Sequence, residues 1–451
     1  MRASRGGPKK NHAGPLIILS IIFIFAFAAT TRAGAELDPE NIIARSAVMI
    51  DAKTGIVVFD KDMHERLYPA SVTKLMTVLL ALERAGGGFD DRVYFSRDAV
   101  YSLPWDSSNI AMDEGESLTM EQALYAIMLA SANEVANAVA EHIAGTAENF
   151  ARLMTERAAE LGANDTRFLN PHGLHEDGHY TTPYDMALIM RECVKHPFFV
   201  TLISTEYYEI PPTEKHDEIR GLLNTNRLIR DGDYHNADVV GGKTGFTDQA
   251  GHTLVTYAER DGVGLITAVM KDEKNMIYTD TTALLEYGFG MFGDVTVFDG
   301  RLPEPKRTLP VYQLYDERTI ELGDADVAPA GGLVCFLPLN TDLTKIEKVL
   351  SLPDSLEAPV RKGQAVGKLT LSIGGYALGA VALVSKTDVE RTDPLELAYE
   401  AKSAASKETA LVVLSALKTM MFLFALIIAP MFIIRWVNIY RRRRRYTSGI
   451  G

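Results

Sequence analysis

Cysteine is nearly absent. The chain of 451 residues holds two, Cys193 and Cys335. At most one disulfide can form, and the wide separation of the pair, in different domains on the reading below, favours two buried thiols instead. No group of cysteines and histidines has the spacing of a metal site. Acidic residues are missing from both ends. The segment before Glu36 has five basic residues and no acid, and the segment from Lys418 onward has seven and no acid. The 34 basic and 59 acidic residues between them leave the middle at about −25. That balance argues against a nucleic-acid partner and suits a soluble domain that faces away from an anionic leaflet.

The two basic ends adjoin the long apolar runs. Arg2, Arg5, Lys9 and Lys10 precede an apolar run from Leu16 to Ala29, and Ala33-Gly34-Ala35 supplies small residues for cleavage. Residues 1–35 therefore read as an export signal; an uncleaved anchor is the alternative, disfavoured because the run is short for a span. Leu411 to Ile434 is apolar apart from Ser415, Lys418 and Thr419, and Arg435 and Arg441 to Arg445 follow. At 1.5 Å per residue this run can cross a bilayer core of about 30 Å. The arginines place residues 435–451 in the cytoplasm and the bulk of the chain outside.

Between the ends, Ser46 to Phe59 reads as a β-hairpin turning at Ala52-Lys53-Thr54-Gly55. It leads into Tyr68-Pro69-Ala70-Ser71-Val72-Thr73-Lys74. Pro69 biases Tyr68 away from helix, and Leu75, Met76, Val78, Leu79 and Leu82 then recur at helical spacing. Ser71 is expected in the first turn of that helix, on one face with Lys74. A lysine whose pKa burial has lowered can take the proton that makes a serine nucleophilic. Taken alone, the pair equally fits a helix N-cap with a solvated lysine.

Leu118 to Leu129 has helical period, Glu141 to Leu161 has it in parts, and Thr182 to Cys193 returns to it. Ser131-Ala132-Asn133 lies between the first two; it either caps the next helix or aims a hydroxyl and an amide at Ser71. Asn170-Pro171-His172-Gly173 is a turn cluster in which His172 reads as structural or exposed. Val239-Val240 leads into Gly241-Gly242-Lys243-Thr244-Gly245-Phe246, and two strands, 253–258 and 264–270, follow around the turn 259–262. Lys243-Thr244-Gly245 is thus expected on an edge strand of an antiparallel sheet, where glycines let a substrate backbone approach and pair.

The order of these three motifs is more telling than any one of them. Ser-x-x-Lys, then Ser-x-Asn about sixty residues on, then Lys-Thr-Gly about a hundred and ten further, resembles the penicilloyl-serine transferases. The stretches 68–77, 129–145, 170–174 and 242–251 are similar to the low-molecular-mass D-alanyl-D-alanine carboxypeptidases, the group like penicillin-binding protein 5. Asn224 to Ile229 looks like the Gram-positive branch. The resemblance spans roughly residues 40–390.

It implies an α/β fold: a β-lactamase/transpeptidase-like domain (36–291) with an antiparallel sheet and a helical cluster. A small all-β domain (292–390), expected as a sandwich, follows, then a linker (391–410) and the transmembrane helix (411–434). It also implies an acyl-enzyme on Ser71, with Lys74 as general base and Ser131 relaying a proton to the leaving D-alanine together with Lys243. Asn133 would hold a substrate amide and orient Lys74, and Lys243 and Thr244 would face the terminal carboxylate. The backbone N–H groups of Ser71 and Phe246, around Gly245, would form the oxyanion hole. Peptidoglycan stem peptides are the implied substrate, β-lactams the implied inhibitors, and no metal or cofactor is needed.

Three rivals stand beside this reading. A class A β-lactamase would carry a deacylating glutamate where Thr166 stands, in Thr166-Arg167-Phe168-Leu169-Asn170. A signalling sensor would need a cytoplasmic effector domain after Arg445. A silent wall-binding protein would not need the intact triplet. Phe246 is a departure of its own: relatives often carry a polar side chain at that place.

Overall fold

In a computed structural model of the chain, residues 37–84, 88–302, 307–315 and 318–447 are described; the expected export signal lies outside them. Two units emerge. One holds the chain up to Val295 together with Val334–Asp342, the other Thr296–Leu333 and the chain from Leu343 onward.

The first unit runs β1 (Ser46–Asp51), β2 (Val57–Lys61), α1 (Lys74–Arg84), β3 (Arg92–Tyr94), α2 (Arg97–Tyr101), β4 (Ser117–Thr119), α3 (Met120–Leu129), α4 (Asn133–Ala144) and α5 (Ala147–Glu160). It continues with α6 (Pro183–Cys193), α7 (Pro197–Ser204), β5 (Tyr207–Ile210), β6 (Arg220–Leu223), β7 (Val239–Thr247), β8 (Gly251–Arg260), β9 (Val263–Asp272) and α8 (Met276–Met291).

Its main sheet is antiparallel in the order β2-β1-β9-β8-β7, so β7, which carries Lys243, is an edge strand. The turn from β8 to β9 is two residues, Asp261 and Gly262, both at positive φ, the geometry that matches strand twist. The strands alternate between two cores. Val48, Ile50, Val255, Ile266, Ala268 and Met270 face the helical cluster, while Ala47, Met49, Leu254, Leu265 and Val269 face Ile277, Leu284 and Leu285 of α8. Helices on both faces explain why all six residues of β1 are buried and no polar alternation shows in its sequence.

The helices begin where short polar side chains can cap them. Thr119 and Gln122 form a reciprocal capping box, and the Thr146 and Thr182 hydroxyls accept from Asn149 N and Asp185 N. Ser117–Thr119 pairs with β3, so α3 starts at Met120 rather than at Leu118. The helical period expected over 141–161 is divided at Gly145 (φ +80°), where α4 ends and α5 soon begins. Helix α1 sits in the middle of the cluster. Every residue from Lys74 to Leu82 is buried, and Lys74 is therefore a lysine at the start of an otherwise apolar core helix.

After α8 come β10 (Phe292–Phe298), β11 (Arg307–Tyr315), β12 (Arg318–Pro329), β13 (Leu333–Pro338), β14 (Ile346–Ser351), β15 (Leu356–Glu357), β16 (Ala365–Ile373) and β17 (Tyr376–Ser385). Six of these form one sheet, ordered β14-β16-β17-β12-β11-β15, antiparallel but for the short β11–β15 pair. Val311, Ala325, Ala358 and Val360 form a small core there. Neither cysteine is in a disulfide. Cys193 is buried in α6, and Cys335 falls within Val334–Asp342, in the same unit as Cys193 rather than in the other one. That segment belongs to the first unit because Phe336 stacks on Phe292, ring centroids 6.0 Å apart. The described chain ends with α9 (Pro394–Thr447), in which Ser406–Arg442 is long and apolar enough to cross a membrane.

Candidate active site

The Ser71 turn is built by three neighbours. Ala70 is at φ +52°, a conformation that a non-glycine residue adopts only when its surroundings impose it. One neighbour is β8, whose Thr253 hydroxyl donates to the Pro69 carbonyl at 3.0 Å. Another is the Asn170–Gly173 loop. Gly173 (φ +87°) has no room for a side chain, since a Cβ there would lie 1.9 Å from the Ala70 carbonyl oxygen. The third is β7: a Cβ on Gly245 would lie 2.8 Å from Ser71 N.

Squeezed this way, Ala70–Thr73 forms a 3-10 turn, and the α-helix begins at Lys74. Ser71 thus precedes the α-helix instead of lying in its first turn. The tighter turn still leaves Ser71 Oγ 3.1 Å from Lys74 Nζ. Ser71 is partly exposed, whereas Lys74 is wholly buried.

Lys74 Nζ also donates to Asn133 Oδ1 at 2.6 Å and to the His172 carbonyl at 2.7 Å. Burial drives its pKa well below the ordinary lysine value, and the charge of Lys243 lowers it further, against a smaller opposing pull from Glu134. A neutral amine has two N–H donors and one lone pair. With both N–H groups taken by Asn133 and His172, the lone pair is left for the Ser71 hydroxyl proton. In that neutral form Lys74 can take the Ser71 proton without any rearrangement.

Asn133 is the first residue of α4, whose N-cap, Ala132, has no side-chain cap. The Ser131–Asn133 turn is thus not a capping device. Ser131 sits at φ +61°, and its buried hydroxyl has no hydrogen-bond partner. A residue at positive φ with an unspent hydroxyl is the kind of group that a substrate can engage.

Lys243 is also buried, which brings its ammonium down to about 7; its Nζ donates to the Thr244 carbonyl at 2.9 Å. The Thr244 and Thr225 hydroxyls lie 2.8 Å apart. Phe246 is half exposed at the end of the motif and packs on His252, ring centroids 4.5 Å apart. The glycines have divided duties. Gly241 and Gly242 make room for Ile203 O and Val255 O, each 2.2 Å from a would-be Cβ, and so serve internal packing; Gly245 alone gives access to Ser71.

Three contributions are invisible to motif reading. The His172 carbonyl accepts from Lys74, and a backbone acceptor has no residue signature; the ring itself is buried and structural, its Nδ1 accepting from Leu174 N. Thr225 faces Thr244 from a loop nearly twenty residues earlier. Glu134 lies beside Asn133, buried in the vicinity of Lys74. Thr166, set against the class A glutamate by its sequence alone, has its hydroxyl donating to Asp185 Oδ2 at 2.7 Å and lying 2.8 Å from that of Thr181.

The chain is similar to known proteins. A family profile described as D-alanyl-D-alanine carboxypeptidase matches residues 31–274, and one described as penicillin-binding protein 5, C-terminal domain, matches 336–391. The D-alanyl-D-alanine carboxypeptidase DacF of Bacillus subtilis is 32% identical over 85% of this chain and 95% of its own length. DacA of Escherichia coli K12 is 30% identical over 76% of this chain and 83% of its own. Penicillin-binding protein 5 from Haemophilus influenzae superposes with a TM-score of 0.61 at 26% identity, covering 78% of this chain and 98% of that one. On its motifs, its fold and these matches, the chain belongs to the D-alanyl-D-alanine carboxypeptidase family.

Proposed function

We infer that this protein is a serine D-alanyl-D-alanine carboxypeptidase that trims peptidoglycan stem peptides, and that Ser71 carries the acyl group. The observation behind the assignment of roles is the Lys74 amine, buried, with its two N–H groups on Asn133 Oδ1 and His172 O, 3.1 Å from Ser71 Oγ.

A stem peptide lies along the free edge of β7 by main-chain pairing. Lys243 and the Thr244 hydroxyl receive its terminal carboxylate. Ser71 Oγ attacks the carbonyl carbon of the penultimate D-alanine as its proton passes to Lys74 Nζ. The oxyanion that forms accepts from the backbone N–H groups of Ser71 and Phe246, donors that gain strength only as charge develops. The C–N bond then breaks. The departing amine takes that proton from Lys74 through Ser131 Oγ, with Lys243 supporting the transfer, and D-alanine leaves while Lys74 is neutral again. Water attacks the ester as its proton passes to the neutral Lys74; the C–O bond to Ser71 breaks, and Lys74 returns the proton to Ser71 Oγ, restoring the serine. Asn133 holds a substrate amide and orients Lys74.

A β-lactam acylates the same serine, but its amine stays tethered, so the acyl-enzyme persists. The hydroxyl of Thr166, committed to Asp185 and Thr181, favours this outcome over rapid β-lactam hydrolysis.

Residues 1–35 direct export, 36–291 carry the chemistry, 292–390 form the β-domain and 391–410 the linker. Residues 411–434 span the membrane, and 435–451 stay in the cytoplasm. The exposed apolar side chains from Leu411 to Ile434, beside the arginine run, support this topology. The test is release of D-alanine from a D-alanyl-D-alanine peptide by the full chain in detergent. Release that Ser71→Ala abolishes is expected; equal release by that variant would refute the assignment.

A further inference from the structure

Ser71 sits in a turn whose two ends are held by different parts of the fold. Before it, the Thr253 hydroxyl donates to the Pro69 carbonyl. After it, the Thr73 hydroxyl lies 3.0 Å from Nε2 of His179, and both side chains are closed to solvent. The Leu169 N–H donates to the other ring nitrogen, Nδ1, at 3.3 Å. A neutral imidazole has one N–H and one lone pair. With the Nδ1 lone pair taken, the proton is on Nε2 and is donated to Thr73 Oγ1. Burial, with a smaller push from the charge of His175, brings the His179 pKa down to about 3, so the ring keeps this neutral form near neutral pH.

The ring has little freedom to move. Tyr180, next in the chain, exchanges backbone hydrogen bonds with Arg167 at 2.8 and 3.0 Å, and Thr181 does so with Leu67 at 2.8 and 2.9 Å. The imidazole stands edge-on to Phe168, ring centroids 5.6 Å apart. The same stretch of chain supplies an acceptor to Lys74, the His172 carbonyl, at 2.7 Å. Further along α1, the Thr77 hydroxyl donates to the Pro171 carbonyl at 2.6 Å. Thr73 and Thr77 therefore bracket Lys74, and both are tied to the segment that carries the lysine's acceptor. Without the bond to His179 one side of that bracket is open. Ala70, at φ +52°, then has less to hold it, because such strain persists only where the surroundings over-determine it.

We propose that His179 is a positioning residue for the nucleophile: through the Thr73 hydroxyl it holds Ser71 Oγ within reach of Lys74 Nζ. It touches neither substrate nor reacting atoms, and no proton passes through it. The inference rests on the reading of Ser71 as the acylated serine and Lys74 as its base.

The test is saturation kinetics of acylation by a fluorescent penicillin, using the full chain in detergent, with a thermal melt of each variant. These kinetics separate the acylation rate constant from the dissociation constant of the complex that precedes it. His179→Asn keeps an acceptor for Leu169 N–H but does not reach Thr73. His179→Gln reaches Thr73. Thr73→Val keeps the shape and removes the hydroxyl. His179→Asn and Thr73→Val should each lower the acylation rate constant by ~10–100-fold, with the dissociation constant within threefold of wild type. His179→Gln should recover most of the rate. Thr73→Val combined with His179→Asn should be no slower than the slower single variant, since both remove one link. A folded His179→Asn or Thr73→Val protein acylated within threefold of wild type would overturn the proposal. So would losses that multiply in the double variant, or a dissociation constant that weakens as much as the rate falls, the mark of a merely structural role. Should His179→Asn not fold, Thr73→Val decides alone. Wild-type protein that penicillin does not acylate would instead overturn the reading of Ser71 itself.

Discussion

Replacing Gly245 by alanine tests how tightly β7 is set against the Ser71 turn. The added Cβ would stand 2.8 Å from Ser71 N, 2.5 Å from Thr253 Oγ1 and 3.1 Å from Ala70 Cβ. The Thr253 hydroxyl can turn away only by giving up the Pro69 carbonyl, which is one of the anchors of the same turn. Ordinary contact begins near 3.4 Å, so the Ser71 backbone and β7 must part by roughly 0.6 Å. Displacing reacting groups by about 1 Å costs on the order of 10²-fold, and loss of one oxyanion-hole donor costs ~10²–10³-fold. A shift of this size should therefore slow acylation by ~10–100-fold. Overpacking of this kind also destabilises by ~1–3 kcal/mol, which a well-packed domain survives. The assay is the second-order rate of acylation by a fluorescent penicillin, read beside a thermal melt that confirms folding. A folded Gly245→Ala protein acylated within threefold of wild type would refute the claim that Gly245 sets the Ser71 donor.

Other consequences follow from the charged groups. On the proposed roles, acylation uses a neutral Lys74 and carboxylate binding a charged Lys243, so kcat/KM should rise with pH as Lys74 loses its proton. It should fall again above about 7, where burial places Lys243; a profile still climbing at pH 9 would contradict these roles. The Glu116–Arg220 pair is nearly inaccessible, with contacts of 3.0 and 3.1 Å, and Arg220 also holds the Ile110 and Ala111 carbonyls. Glu116→Gln leaves that guanidinium without its counter-charge and should cost ~3–5 kcal/mol, seen as a melting point lowered by several degrees. Burial raises the Asp272 carboxyl to about 7, so the folded state keeps a proton that the unfolded chain gives up near the ordinary value of 3.8. Its contribution to stability is present below that value and is lost as pH rises toward 7; Asp272→Asn should flatten the pH dependence of the melting point over that window.

Much of the site was legible because its chemistry is carried by side chains at short, regular spacings. Ser71 and Lys74 are three residues apart, and both a 3-10 turn and an α-turn bring such residues together, so the pairing survived even though Ser71 proved to lie before the α-helix. The two strands that follow, joined at the turn 259–262, made β7 recognisable as an edge. Other parts left no pattern in the residues. The carbonyl of His172 accepts from Lys74 because Gly173 lets that loop press on Ala70, a tertiary fact that a turn-forming sequence does not reveal. Ser131 resembles a helix cap in one dimension, and only its positive φ and unspent hydroxyl distinguish it. Gly241 and Gly242 looked as suited to a substrate as Gly245, but the carbonyls they accommodate belong to Ile203 and Val255. The helical cluster hides Glu134 for a similar reason: its burial depends on the loop after α2, not on its neighbours in sequence.

The central claim is that Ser71 is the nucleophile and that Lys74 activates it. The most direct test is intact mass and peptide mapping of the full chain after exposure to a penicillin, beside Ser71→Ala and Lys74→Ala. The account predicts one stable penicilloyl group on Ser71 in the wild type, none in Ser71→Ala, and acylation slowed by orders of magnitude in Lys74→Ala. An adduct on any other residue, or undiminished acylation without Lys74, would contradict it.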